Sequence, residues 1–223
     1  MSEIFPTDTG ALYIQHAELA PYLDVWQAMK KFCVNRTPNT PDQVWFLQHP
    51  PVFTQGVSGK PEHVLNAGNI PIIQSDRGGQ VTYHGPGQLM MYVLLDLHRL
   101  DIGVRTLVDV LENTAVNILK QYGISAIAKK DAPGVYVKDE KIASLGLRVK
   151  KGLSYHGLSF NVDMDLTPFS QINPCGFKDL KITQLSHHGV NCRPMELACG
   201  LLDEFAQQLG YKNIQATDNT FTV

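Results

Sequence analysis

The sequence predicts an α+β fold in a single domain that spans residues 1–223. Segments typical of strands follow one another in meanders, and the helical patterns stand apart from them instead of alternating with every strand. The chain is 43% hydrophobic and 18% charged, which suits one globular domain with a sizeable core. These two observations favour an α+β arrangement over a doubly wound α/β one.

The first half of the chain combines short strand patterns with one helix. The helix opens at Glu18, because Pro21 is tolerated in a first turn. Apolar residues follow helical spacing as far as Cys33, which is therefore most simply a core residue. The predicted elements are a strand at 12–14, this helix, a strand at 44–47, an exposed loop at 53–60 and a short strand at 70–73.

The second half is predicted to hold two helices and several further strands. An amphipathic pattern begins at Leu107 and stops near Gly123, where glycine suits a helix end. The polar turn 138–140 between two apolar runs indicates a hairpin. In chain order we predict a helix from 107, a strand at 124–128, hairpin strands at 134–137 and 142–149, a strand at 153–162, an irregular segment at 163–183 and a helix at 194–209.

A glycine-rich segment at residues 77–88 precedes an apolar run at 89–95. The run is too short to span a membrane and suits a strand that is buried on both faces. Gly85-Pro86-Gly87 predicts a tight turn, because proline presets one turn angle and the second glycine accepts a positive φ. Two interpretations stay open: a glycine-rich hairpin with an ordinary His84, or a backbone that a ligand approaches closely.

Side-chain alternation along two predicted strands indicates two polar candidates. In the strand that starts at Lys141, the lysine shares a face with the apolar Ala143. In the next strand, His156 shares a face with the apolar Leu158. From pattern alone, a strand-end lysine that snorkels to water is the favoured interpretation of Lys141.

Cys175 lies in the segment NPCGF, residues 173–177, and belongs to no helical apolar stripe. Proline before it and glycine after it predict a stiff, close turn that could present a thiol to a substrate. A free thiol has a pKa of about 8.5, and a nearby cation such as Lys141 would favour the reactive thiolate. The alternative, a loop cysteine that fills a gap in the packing, stays open.

Composition and motifs argue against several functions. A net charge of −2 without a basic block gives no sign of nucleic-acid binding. Without a signal-peptide pattern or a transmembrane run, we expect a soluble, cytoplasmic protein. The four cysteines form no C-x-x-C motif, and the adjacent His187 and His188 lack a third metal ligand. Neither the glycine spacing of a dinucleotide site nor a P-loop is present.

Several separate blocks of sequence, in order, resemble the lipoyl(octanoyl) transferase family. Together they span most of the chain, from about residue 44 to residue 184. The blocks are RGGQVTYHGPGQ at 77–88, APGVYV at 132–137, KIASLGLR at 141–148, HGLSFNV at 156–162 and NPCG at 173–176.

The resemblance implies a fold similar to the catalytic domains of biotin and lipoate protein ligases, with a mixed, largely antiparallel sheet flanked by helices. It implies transfer of an octanoyl or lipoyl group from acyl carrier protein to a specific lysine of lipoyl domains, in lipoate biosynthesis. The acceptors would be acyltransferase subunits of 2-oxoacid dehydrogenases and the glycine-cleavage H protein. It implies no metal, ATP or NAD, and no membrane or nucleic-acid partner.

The same resemblance assigns roles to residues. Cys175 would be the nucleophile that carries the acyl group as a thioester, and Lys141 would lower the pKa of its thiol and move protons. His156 would support the site by positioning or hydrogen bonding. The substrate-binding residues would be Arg77, Gly78, Gly79, Gln80, Val81, Thr82, Tyr83, His84, Ser144, Leu145, Gly146, Gly157, Leu158 and Ser159.

Three other functions stay open. An ATP-dependent lipoate or octanoate ligase of the same fold would proceed through an acyl-adenylate and would not need Cys175. A binding module for lipoyl domains or acyl carriers would bind without turnover, although a lysine on an apolar face is costly to keep for scaffolding alone. A cysteine hydrolase would release the acyl group to water.

Overall fold

The computed structural model describes residues 11–216 of the chain. The helices are α1 (Tyr22–Asn35), α2 (Val104–Gln121) and α3 (Pro194–Leu209). The strands are β1 (Ala11–His16), β2 (Asp42–Leu47), β3 (Val52–Gln55), β4 (Ile72–Gln74), β5 (Val81–His84), β6 (Gln88–Leu94), β7 (Ile127–Ala128), β8 (Val135–Val137), β9 (Glu140–Lys150), β10 (Leu153–Asn161) and β11 (Asn213–Ala216). Short 3₁₀ helices occupy Pro61–His63, Thr167–Gln171, Pro174–Gly176 and Leu185–His188.

The main sheet has the strand order β11-β1-β2-β6-β10-β9-β8-β7. Within it, β1 runs parallel to β2 and β11, and the other neighbouring strands run antiparallel. A second, smaller sheet has the order β4-β3-β5, in which β3 is parallel to β4 and antiparallel to β5. The predicted α+β fold, a mixed and largely antiparallel sheet flanked by helices, is confirmed.

Strand β6 lies in the middle of the main sheet and is buried on both faces, as its continuous apolar sequence predicts. Its odd-numbered residues, such as Met91, pack in the core formed with α2 and α3. Its even-numbered apolar residues, such as Tyr92, pack in the core formed with α1. The small sheet has a separate core around Phe53 and Tyr83. Among the described residues, no helix combines the length and the apolar character needed to cross a bilayer.

Two predicted elements differ from the structure. Residues 53–60 were predicted as an exposed loop, but Val52–Gln55 form the buried central strand of the small sheet. The apolar pattern of a buried strand is missing here because the strand contains polar residues. Hydrogen bonds satisfy these residues in the interior; for example, Thr54 Oγ1 accepts from Arg77 Nε at 3.0 Å. The strand predicted at 124–128 is shorter, since its pairing covers Ile127–Ala128.

The turn at residues 85–87 is tight, as predicted. Gln88 N donates to Gly85 O at 3.2 Å, and Gly87 has a φ of 88°. A Cβ at Gly87 would also overlap the backbone of Asp163, so glycine is needed here for space as well as for conformation. The turn does not close a hairpin, because β5 and β6 belong to different sheets. It carries the chain from the small sheet to the centre of the large one.

Asp42 is a fully buried carboxylate at the start of β2. It pairs with the guanidinium groups of Arg36 and Arg99, and it accepts a hydrogen bond from the hydroxyl of Tyr211 at 2.6 Å. The backbone amide of Asp96 donates to it at 2.8 Å. These partners come from the end of α1, from the segment after β6 and from the chain just after α3. One carboxylate therefore fastens three peripheral segments to the sheet.

The variant Asp42→Asn should lower the free energy of unfolding by about 3 kcal/mol, because it leaves two guanidinium groups without their buried counter-charge. Urea denaturation followed by circular dichroism measures the change. The exposed Asp203 on α3 supplies a control, since Asp203→Asn should alter the free energy by less than about 0.5 kcal/mol. Equal effects of the two substitutions would contradict this role for Asp42.

Candidate active site

Cys175 and Lys141 lie side by side, with Lys141 Nζ 3.2 Å from Cys175 Sγ. The cysteine belongs to the 3₁₀ helix Pro174–Gly176, and the lysine stands near the start of β9. Both side chains line one cavity. A lysine ammonium and a cysteine sulfur are thus brought together from segments that are far apart in the sequence.

The backbone at Cys175 is held in an uncommon conformation. Its φ of 56° and ψ of 16° lie in the left-handed region, which costs a residue with a Cβ about 1 kcal/mol or more. The following Gly176 has a φ of 80° and donates its N–H to Asn173 O at 2.9 Å. Asn173 in turn donates its N–H to His63 O at 2.7 Å. The close turn predicted from the sequence is present, and it aims the thiol at Lys141.

Lys141 is almost completely buried, with 1% of its surface exposed. Its Nζ donates to Pro133 O at 3.0 Å and lies 5.2 Å from the centre of the Tyr136 ring. Burial opposes the positive charge, but the adjacent Cys175 and Tyr136 outweigh it, so the pKa of Lys141 lies above its ordinary value. A lysine that snorkels to water is therefore excluded.

The prediction that Lys141 shares a face with Ala143 is wrong. A register shift places one extra residue of β9 against β8, so that Tyr136 pairs with Lys141 whereas its neighbour Val135 pairs with Ala143. Because Val135 and Tyr136 point to opposite sides of the sheet, so do their partners. The bulge turns Lys141 toward Cys175 and leaves Ala143 in the core formed with α2 and α3.

The prediction that His156 shares a face with Leu158 is also wrong. His156 has a φ of 62° inside β10, and this left-handed conformation interrupts the alternation of side chains. Leu158 packs in the core formed with α2 and α3. The His156 ring lies on the opposite side, 6.0 Å from the ring of Tyr92.

The carboxylate of Asp76 accepts hydrogen bonds from three side chains, one of which is His156. Its carboxylate accepts from Trp26 Nε1 at 2.7 Å, from His156 Nε2 at 3.1 Å and from the hydroxyl of Tyr155. Burial acts to raise the pKa of Asp76, but these hydrogen bonds outweigh it and hold the pKa well below its ordinary value. Burial lowers the pKa of His156 in spite of Asp76. The second ring nitrogen, His156 Nδ1, is buried and has no hydrogen-bond partner among the described residues.

A cavity of about 370 Å³ unites these groups. Besides Cys175, Lys141 and His156, it is lined by most of the predicted substrate-binding residues: Arg77, Gly78, Gly79, Gln80, Val81, Thr82, His84, Ser144, Leu145, Gly146, Gly157 and Ser159. Tyr83 and Leu158 are not among the lining residues, because their side chains pack in the core of the small sheet and in the core formed with α2 and α3.

Sequence reasoning missed several residues of the cavity wall. They are Tyr22, Met90, Tyr92, Val104, Arg105, Val108, Ala132, Pro133, Leu147 and Phe177. Alternation along β6 could have found Met90 and Tyr92, which face away from the core formed with α2 and α3. The contributions of α1 and α2 leave no local signal, since tertiary packing alone brings their first turns to the cavity.

The glycine-rich segment presses against the open edge of β9. Gly78 N donates to Leu147 O at 2.8 Å, and a Cβ at Gly146 would stand 3.1 Å from Gly78 O. The buried Arg77 holds this segment in shape: Nε donates to Thr54, and the terminal nitrogens donate to Gly78 O and Gln80 O, each at 2.8 Å. The small residues therefore let two stretches of backbone form one wall of the cavity.

His49 supports Tyr92, another residue of the cavity wall, through a hydrogen bond. Its Nδ1 donates to Ala20 O at 2.6 Å, so its Nε2 accepts from the hydroxyl of Tyr92 at 2.7 Å. Burial lowers the pKa of His49 to about 4. The neutral ring fixes the orientation of Tyr92, which lines the cavity.

Among residues 11–216, no cluster of three or more His, Cys, Asp or Glu side chains could hold a metal ion. His188 Nε2 lies 3.1 Å from Thr183 Oγ1, and His187 Nε2 lies 3.1 Å from Gln184 Nε2. The two adjacent histidines thus bond to nearby side chains of their own segment.

The chain is similar to known proteins over most of its length. Residues 21–206 match the family model of the lipoyl protein ligase A/B catalytic domain. A protein named octanoyltransferase from Coxiella burnetii is 58% identical over 200 residues, which cover 88% of this chain and 81% of that protein. Proteins of the same name from Shewanella amazonensis and Nitrosomonas eutropha are 54% and 51% identical, over 91% and 92% of this chain and 94% and 93% of theirs.

Solved structures share the fold at low sequence identity. The crystal structure of lipoate-protein ligase A bound with ATP has a TM-score of 0.76 at 16% identity, over 96% of this chain and 89% of that one. A bi-partite lipoate protein ligase from Thermoplasma acidophilum has a TM-score of 0.70 at 17% identity, over 96% and 87%. The biotin protein ligase from Aquifex aeolicus has a TM-score of 0.53 at 13% identity, over 91% and 71%.

Acid should destabilise the protein through His49, whose pKa falls to about 4 in the folded state. The unfolded chain takes up a proton near pH 6.5, so the contribution of the neutral ring is complete above that pH and is lost as the pH falls toward 4. Unfolding free energies at pH 7 and pH 4.5 should therefore differ less in His49→Gln than in the wild type, by about 2 kcal/mol. The exposed His16 gives the control variant, His16→Gln, for which we expect the wild-type difference.

Proposed function

We propose a reaction route for this chain, which belongs to the lipoyl protein ligase A/B catalytic-domain family and is an octanoyltransferase of protein lipoylation. The donor in this route is octanoyl-acyl carrier protein, and the acceptor is a specific lysine of a lipoyl domain. Such domains occur in 2-oxoacid dehydrogenase acyltransferase subunits and in the glycine-cleavage H protein. The observation that carries the proposal is the 3.2 Å contact between Lys141 Nζ and Cys175 Sγ in the wall of the cavity.

In the first step, the Cys175 thiolate attacks the carbonyl carbon of the octanoyl thioester. A new carbon–sulfur bond forms to Cys175, and the carbon–sulfur bond to the donor breaks. The departing donor thiolate takes a proton from the Lys141 ammonium, which becomes a neutral amine. One thioester replaces another, so the acyl group stays activated.

In the second step, the neutral amine of the acceptor lysine attacks the octanoyl-Cys175 thioester. An amide bond forms, Cys175 leaves as a thiolate, and the proton lost by the acceptor amine passes to Lys141. The ammonium–thiolate pair is thereby restored. Conversion of a thioester into an amide is downhill, so the cycle runs in the direction of the modified protein.

Each step passes through a tetrahedral oxyanion that needs hydrogen-bond donors. Backbone amides of the glycine-rich segment in the cavity wall are the candidate donors. The cavity of about 370 Å³ falls in the size range of small-molecule sites and would hold the acyl chain. Because the donor arrives activated, the route uses no ATP, metal or NAD. A thiolate nucleophile needs a reducing compartment, for which we propose the cytoplasm.

An ATP-dependent ligase is the second candidate, because lipoate-protein ligase A bound with ATP shares the fold. Such a reaction would activate a free acid as an adenylate and would not require a thiol. The thioester route uses the contact between the Lys141 ammonium and the Cys175 sulfur at each step, whereas the adenylate route leaves the sulfur without a role. We therefore place the transferase first.

Incubation with octanoyl-acyl carrier protein should add the mass of one octanoyl group to the wild-type protein, and fragmentation should place it on Cys175. Intact-mass spectrometry after rapid acid quench measures the adduct. Cys175→Ala should form no adduct and should lose transfer activity by about 1,000-fold or more. The exposed Cys199→Ala should behave as the wild type.

Two results would count against this route. One is transfer by wild-type protein that never shows an adduct. The other is activity that requires ATP with free octanoate and survives Cys175→Ala, which would favour the ligase.

Lys141→Met should slow the acylation of Cys175 by about 100-fold at neutral pH, because the side chain keeps its length but loses the cation. The rate should rise again toward higher pH, where the thiolate forms without help from a neighbouring ammonium. Single-turnover acylation measured from pH 6 to pH 10 tests both effects. Lys138→Met, in the exposed turn before β9, is the matched control. A pH profile shared by Lys141→Met and the wild type would remove Lys141 from its role.

A further inference from the structure

We propose that Glu112 on α2 is a positioning residue that keeps Lys141 in place and protonated, and that it acts through the peptide group between Pro133 and Gly134. The inference rests on the proposed function, because it concerns the lysine to which that route gives both proton transfers.

One peptide group lies between Glu112 and Lys141 and bonds to both. Its N–H, on Gly134, donates to Glu112 Oε1 at 2.8 Å. Its carbonyl oxygen, on Pro133, accepts from Lys141 Nζ at 3.0 Å. Lys141 Nζ continues the series to Cys175 Sγ at 3.2 Å. A carboxylate, a peptide, an ammonium and a sulfur thus follow one another in a single chain of hydrogen bonds.

The order of these groups fits their charges. A carboxylate that accepts from the N–H polarises the peptide group. The partial negative charge on the carbonyl oxygen at the other end of the group therefore increases. Hydrogen bonds that share a polar group strengthen one another in this way, most of all in a site that excludes water. Glu112 is 3% exposed and Lys141 is 1% exposed, so solvent screens their interaction only weakly. The polarised carbonyl therefore binds the ammonium more strongly than an ordinary peptide would.

The packing around Gly134 lets this peptide approach the lysine. Gly134 has a φ of 136°, which is a conformation that residues with a Cβ avoid. A Cβ there would stand 2.7 Å from Ala143 O and 2.9 Å from Lys141 Cε. Glycine avoids these overlaps, and the hydrogen bond to Glu112 then fixes the orientation of the peptide group.

A purely structural role would not call for a charge at this position. A glutamine oxygen could accept from Gly134 N without the cost of burying a carboxylate, and burial does raise the pKa of Glu112. The charged groups that act on Glu112 are Arg105 and Asp109 from its own helix and Lys141 from β9. Lys141 is thus the cation that the facing strand presents to this carboxylate.

Glu112→Gln tests the proposal because it keeps the shape and the acceptor oxygen but removes the charge. Single-turnover acylation of Cys175 should be about tenfold slower at neutral pH, with an unchanged KM for the donor. The fall in rate at alkaline pH should begin about one pH unit lower than in the wild type, since Lys141 gives up its proton more readily. Asp203→Asn removes the same charge from an exposed position on α3 and should keep the wild-type profile.

A second measurement reads Lys141 without any acyl donor. In a nuclear magnetic resonance titration of isotopically labelled lysine side chains, the Lys141 signal should titrate at lower pH in Glu112→Gln than in the wild type. Glu112→Leu, checked for folding by circular dichroism, should lower the Lys141 midpoint further, because leucine also removes the acceptor of the hydrogen bond from Gly134 N. An unchanged Lys141 midpoint in both variants, or an equal rate loss at every pH, would overturn the proposal. Failure of the wild type to form any adduct would instead refute the proposed function, and the titration would still decide the role of Glu112.

Discussion

The contact between the Lys141 ammonium and the Cys175 sulfur is the constraint on which the rest of the site depends. Placing an ammonium in the interior costs several kcal/mol unless good partners surround it. Here the sulfur, the carbonyl of Pro133 and the face of the Tyr136 ring all lie close to the charge. A side chain kept only for packing could be apolar and would avoid this cost. The arrangement therefore argues for chemistry at this position and against a passive binding module.

Three departures from regular backbone geometry create that contact and its surroundings. Cys175 and His156 both have a positive φ, and β9 carries an extra residue next to Lys141. Each departure costs free energy locally, and each aims a polar side chain into the same cavity. The regular parts of the sheet keep these conformations in place: β10, which holds His156, is paired on one side with β6 and on the other with β9.

The same departures mark the limit of what the sequence could predict. The fold class, the doubly buried β6 and the helices α2 and α3 follow from apolar periodicity, which is a local property. The faces of Lys141 and His156 were predicted wrongly because alternation assumes an unbroken strand, whereas a bulge and a left-handed residue are imposed by distant packing. Strand β3 was missed because its buried polar residues depend on Arg77, a partner that no local pattern reveals.

A lipoate-protein ligase bound with ATP shares its fold with this octanoyltransferase, so the fold cannot decide the chemistry. The energy source separates the two routes. A ligase must bind nucleotide phosphates to activate a free acid, but a transferase inherits an activated acyl group and must chiefly protect it from water. In this chain the guanidinium of Arg77 is committed to Thr54 and to the carbonyls of Gly78 and Gln80, so its charge shapes the wall of the cavity. The surroundings that bury Lys141 and make its charge costly would also help to shield an octanoyl thioester from hydrolysis. On the transferase route, burial at this site lowers the stability of the fold. The same burial protects the acyl group from hydrolysis while it passes between two proteins.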